Sequence, residues 1–170
     1  MNTFNDVFVN LARSFPSIIH LVNSFGFIAG MVFIFIGIYK LKAYGESRTM
    51  MSSNVSLKEP IVALFIGSML LYYPSALGMG LTTIFNTSQL TDLSYVTSMV
   101  PSYDQSFKAI LQLVQIVGLI SFVRGWFVLS ASTQPGRGGF GKGMTHLVGG
   151  VLAVNIAAVK QILWTTFGFV

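Results

Sequence analysis

The residues with most chemical potential in this chain are His20, His146 and a glycine-rich basic run, Gln134, Pro135, Gly136, Arg137, Gly138, Gly139, Phe140, Gly141, Lys142 and Gly143. Glycines with a basic residue ahead of a helix N-terminus can offer backbone donors to an anion. A phosphate-binding P-loop, however, needs Gly-Lys followed at once by Ser or Thr, after a buried strand. Here Gly143 follows Lys142, and both flanks are apolar. The run reads instead as a hairpin loop whose cations face lipid phosphates. A metal site needs several convergent ligands, and a proton relay strings carboxylates or histidines through an apolar region. His146 stands alone, His20 lies far from it, and Asp6, Glu46, Glu59, Asp92 and Asp104 all fall outside the apolar stretches. No metal ligands and no catalytic residues are expected, and His146 is assigned an interfacial hydrogen bond or cap. With no cysteine, disulfides and thiolate chemistry are excluded. No nucleophile and base pair presents itself, so an enzyme is not expected.

The elements that would position these residues are apolar. Of the 170 residues, 53% are hydrophobic and 9% charged, against about a quarter charged in an ordinary soluble domain. Such a chain would expose large greasy patches unless lipid covered them. Four stretches, about Leu21–Leu41, Ile61–Leu81, Ala109–Leu129 and His146–Thr166, each reach the roughly 20 residues that cross a hydrocarbon core about 30 Å thick. The fold class expected is an all-α membrane protein with four transmembrane helices. The second is the weakest, because Pro74 and the run Gly78, Met79, Gly80 can end or kink it.

Ahead of these, Phe4, Phe8, Leu11, Phe15, Ile18 and Val22 recur at steps of three and four, with Asp6, Asn10, Arg13 and Ser17 opposite. This predicts an amphipathic interfacial helix over 1–20, bent at Pro16. A cleaved signal peptide would want a basic start, and the first basic residue is Arg13, so the segment is read as retained. The organisation is then an interfacial helix over 1–20, a first transmembrane hairpin over 21–81, a connection over 82–108 and a second hairpin over 109–170.

Net charge is +5, but the basic residues are scattered and form no stripe, so direct nucleic-acid binding is not expected. Lys40, Lys42, Arg48 and Lys58 crowd the first connection, and Arg137 and Lys142 lie in the third with Arg124 nearby. These cations are the candidates for lipid headgroups or for a polar lumen. The middle connection carries Asp92, Asp104 and only Lys108. The positive-inside rule then puts the first and third loops in the cytoplasm and both termini outside, in the periplasm for a bacterial inner membrane.

The two halves resemble each other. Leu21, Val22, Gly26 and Ile28 match Leu113, Val114, Gly118 and Ile120, and after a four-residue shift Gly37, Ile38, Tyr39, Leu41 and Ala43 match Gly125, Trp126, Phe127, Leu129 and Ala131. Leu64, Phe65, Gly67 and Met69 match Leu147, Val148, Gly150 and Leu152. A duplicated helical hairpin is the expectation. Gly26 with Gly30, and Gly149 with Ala153, place small residues four apart where backbones can approach. Gly37, Gly67, Gly118, Gly125 and Gly150 complete the candidate packing set, with Asn155 as a mid-span amide that wants a neighbouring helix. Arg124 and Lys160 are read as snorkelling cations.

The run Gly141, Lys142, Gly143, Met144, Thr145, His146, Leu147, Val148, Gly149, Gly150, Val151, Leu152, Ala153, Val154, Asn155, together with the four-span layout, resembles the IcmC/DotE family of type IVB secretion systems and its TraQ-type conjugative counterpart. The resemblance implies a small inner-membrane component of a machine that exports effector proteins or DNA, with no catalytic residues to transfer. It also implies other secretion components and further copies of the chain as partners, DNA only as cargo, and a place in an extracellular filament if the subunit is pilin-like. No cofactor is expected, and phospholipid is the candidate ligand.

Overall fold

The computed structural model describes residues 4–49, 56–89, 104–134 and 139–168, with side chains described from Ser14 in the first helix and from Phe107 in the fourth. Six helices and no strand occur among the described residues: α1 (Phe4–Thr49), α2 (Lys58–Leu71), α3 (Tyr73–Phe85), α4 (Asp104–Ala131), α5 (Phe140–Val154) and α6 (Ile156–Thr166). Two of them are long and apolar enough to cross a membrane, through Ser14–Thr49 and Phe107–Ala131, or four if each bent pair counts as one span.

Two expectations are corrected. The fourth stretch is not one continuous helix, since α5 and α6 meet at 82°, and the second breaks where Pro74 permits it, α2 and α3 meeting at 91°. At 14 and 15 residues, α2 and α5 reach only about 21–22 Å at 1.5 Å per residue, short of a bilayer core. The first break has a plain cause. Residue 74 should donate to the carbonyl of Leu70, but Pro74 has no N–H and its ring crowds that carbonyl, so α2 closes with Tyr72 N–H on Ser68 at 3.1 Å and Pro74 moves to the first turn of α3. The second break involves no proline. It falls on Asn155, a residue type that disfavours helix interiors, and Asn155 N–H still donates to Val151 O at 3.2 Å.

The second correction concerns the N-terminus. Among the described residues, 4–20 form no separate interfacial helix: α1 runs 46 residues without a break, carrying Pro16 inside it. Phe15 and Val22 are buried, and Ile18 and Ile19 pack against the core. From Phe15 to Val22 the apolar face therefore meets protein, while the side chains of Phe4, Phe8 and Leu11 lie outside those described.

The helices form two antiparallel pairs, α1 with α2 and α4 with α5, and α1 also packs along α4. Tyr73 lies tilted against Phe122 and Phe65 meets Trp126 edge-on, with ring centroids 5.9 and 6.0 Å apart. Positions fall along α2 as they rise along α4, so α4 is antiparallel to α2 and parallel to α1. The connections after α1 and after α4 consequently lie at the same end of the bundle. The shared core contains Ile66, Leu70, Tyr73, Leu77, Phe122, Trp126, Leu147 and Val154. α3 turns sideways and lays Gly80 against Val151, tying the first pair to the second. Large side chains such as Phe35 (65% exposed) and Ile28 (62%) point outward while Ala29 is buried. Small residues inside and large apolar ones outside is the pattern of helices packed in lipid.

Candidate functional site

The closest backbone approaches occur at glycines, in two matching sets. A Cβ placed on Gly30 would stand 2.6 Å from Leu71 N and 2.9 Å from Gly67 O. On Gly67 it would meet Ile34 N at 2.9 Å and Gly30 O at 3.0 Å. In the second pair, a Cβ on Gly118 would stand 2.7 Å from Val154 N and 2.9 Å from Gly150 O, and on Gly150 it would meet Phe122 N at 2.7 Å. Two turns further along, Gly37 faces Leu64 and Gly125 faces Leu147 in the same manner, with the leucine nitrogens at 3.1 and 2.9 Å. Backbone cannot retreat as a side chain can, so these four crossings exist only because the residues lack a Cβ.

The correspondence between the sets is regular. Gly30, Ile34 and Gly37 map onto Gly118, Phe122 and Gly125 at one constant shift, and Leu64, Gly67 and Leu71 map onto Leu147, Gly150 and Val154 at another. The second shift carries Tyr72 onto Asn155, so both helices break at the same place. The match of Gly26 with Gly118 is thereby corrected: Gly26 makes only ordinary contact with Tyr73 at 3.8 Å, and Gly30 is the true counterpart of Gly118. Apolar residues on either side permit both alignments, and only the crossing distinguishes them. Gly149 has open space beside it within the chain. Its neighbour Gly150 makes the crossing, while Ala153 does lie against Gly118, its Cβ 2.9 Å from where a Cβ on that glycine would stand.

Polar groups within the core are few. Asn155 is fully buried at the break. The Tyr73 hydroxyl and Trp126 Nε1 are buried with no hydrogen-bond partner among the described residues. Ser121 Oγ lies 3.4 Å from His146 Nδ1 and 3.3 Å from His146 O. One hydroxyl can donate to the carbonyl and accept from a protonated Nδ1, so the contact links α4 to α5. Among the described residues no carboxylate orients His146 and no group of three potential metal ligands converges.

The cationic end is partly neutralised. Lys40 Nζ donates to Glu59 at 2.7 Å across the first pair, and Lys42 lies 3.6 Å from Glu46 within α1. Arg48 bonds the Tyr44 hydroxyl at 3.0 Å and lies over its ring. The Lys40–Glu59 bridge escapes a sequence reading because its partners are 19 positions apart on different helices. Lys58 and Lys142 are exposed, and Arg137 lies outside the described residues. Lys160 is half-buried over the rings of Phe107 and Trp164, at 5.3 and 5.5 Å, which gives its charge aromatic faces. Arg124 is exposed beside an apolar groove between α1 and α4. No protein-family model, no curated protein and no solved structure matches the chain.

Proposed function

We propose that the chain is a structural inner-membrane or pilin-like subunit of a type IVB secretion or conjugation apparatus, built from two tandem membrane hairpins, that oligomerises through helix faces to help form a conduit for DNA or effector proteins. The observation that carries this reading is the paired set of glycine crossings, Gly30 with Gly67 and Gly118 with Gly150. Crossings this tight fix a rigid hairpin whose outer faces stay free for other copies. The end bearing Lys40, Lys58 and Lys142 supplies cations for headgroups on the cytoplasmic side, or for a lumen in an assembled filament. The protein acts without catalysis. Deleting its gene in the host abolishes conjugation or effector export while growth on defined media is unchanged; normal transfer in the deletion strain overturns the proposal. A ladder of oligomers on a blue-native gel in mild detergent is the companion result.

One observation favours a second reading, a small transporter. Interrupted helices at corresponding places in two repeats mark the substrate site in many transporters, and Tyr72 and Asn155 are such a pair. They differ sharply in surroundings: Tyr72 is 70% exposed and Asn155 is fully buried. Two breaks that face different surroundings do not build one site, which favours the structural reading. Solute flux in liposomes carrying the purified protein would reverse that preference.

A further inference from the structure

Between α1 and α4 runs a groove of about 420 Å³ walled by Val22 and Phe25 on one side and Ile120 and Phe127 on the other, with Arg124 as its charged member. The volume is that of a ligand site, within the range of about 300–1,000 Å³. Among the described residues Arg124 has neither an ion pair nor a hydrogen bond. We propose that this groove holds an anionic phospholipid, one acyl chain lying along the apolar walls and the phosphate paired with the Arg124 guanidinium.

Three observations carry the assignment. Arg124 lies seven residues before the end of α4 at Ala131, about 10 Å along the axis. Its aliphatic stem lines the almost wholly apolar groove, so the exposed guanidinium stands at the groove's rim. Second, the shift that maps Gly30 onto Gly118 maps Ile36 onto Arg124. The packing of the first pair needs no cation at this place, so the charge is not part of the scaffold. Third, the walls are apolar and the one charge is positive, and a planar guanidinium pairs with a phosphate in two parallel hydrogen bonds. An acyl chain bearing a phosphate satisfies both halves of the groove at once. The inference is independent of the secretion reading, because a transporter or a channel with this groove would take the same lipid.

The test uses the full chain purified in mild detergent and mixed with phosphatidylglycerol or phosphatidylcholine of identical acyl chains, with retained lipid counted by native mass spectrometry. Phosphatidylglycerol is retained at least tenfold more tightly than phosphatidylcholine. Arg124→Gln erases that preference, Arg124→Lys keeps part of it, and Ile120→Trp, which fills the groove from an exposed position, removes binding of both lipids with Arg124 still present. Helical circular dichroism and melting of each variant match the parent. Equal retention of the two lipids by the parent chain, or an undiminished preference in Arg124→Gln, overturns the proposal. So does efficient disulfide cross-linking of Ile120→Cys between copies without any lipid preference, which would make a second chain the occupant.

Discussion

Asn155 stands 83 positions after Tyr72, and each is the single residue at which an apolar helix turns, through 82° and 91° respectively. The two breaks stand at the same distance from the glycine crossings on the helices that precede them. The side chains at the two breaks are not repeated, since one is buried and the other exposed.

The crossings should be intolerant of even a methyl group. Gly30→Ala and Gly118→Ala each place a Cβ within 2.7 Å of a backbone nitrogen on the facing helix, and overpacking of this kind costs about 1–3 kcal/mol. Gly149→Ala, at a position with open space, stays within about 0.5 kcal/mol. Unfolding of the three variants by sodium dodecyl sulfate in mixed micelles gives the comparison, and equal stability of Gly118→Ala and Gly149→Ala refutes the assigned packing.

Replacing Asn155 tests what holds the second bend. Asn155→Ala removes a fully buried amide and leaves its surroundings with a void and an unmatched polar group, a loss of about 1–3 kcal/mol. Tyr72→Ala at the exposed first break costs under about 1 kcal/mol. Thermal melts in detergent monitored by circular dichroism separate the two, and a reversed order contradicts the burial described.

The Lys40–Glu59 bridge joins partners that are each about a third exposed, so screening limits its worth to at most about 1 kcal/mol. A double-mutant cycle with Lys40→Met and Glu59→Gln should return a coupling of that size, shrinking as salt rises. A coupling several times larger would mean that the pair lies in hydrocarbon and not at a wet end.

The absence of cysteine makes topology directly measurable. Gly45→Cys and Gly141→Cys, both at positions with free space, should react with an impermeant maleimide only from the cytoplasmic face, and Ser88→Cys only from the other. Labelling of the first two from opposite faces would disprove that the cationic connections share an end.

The all-helical architecture and the apolar stretches were legible because a run of about 20 apolar residues has few alternatives. Gly67 with Gly150 and Gly37 with Gly125 were legible as matching positions, and each of the four stands at a close helix crossing. Two things were not. Composition alone does not tell a continuous span from one that breaks, and while Pro74 announces the first bend, Asn155 has no comparable flag. Nor does the helix rhythm from Phe15 to Val22 say whether its apolar face meets lipid or protein, because both solvents reward the same side chains. The site residues Leu64 and Leu147 escaped because a leucine becomes informative only once the glycine it covers is known.

The parallel course of α1 and α4 has a consequence for imaging. Because the two halves carry matching glycine crossings and bends, a ring of n subunits using both halves would display 2n similar densities at coarse resolution. Counting lobes would then double the true stoichiometry, and only maps fine enough to tell a tyrosine from an asparagine at the bends would restore the right number.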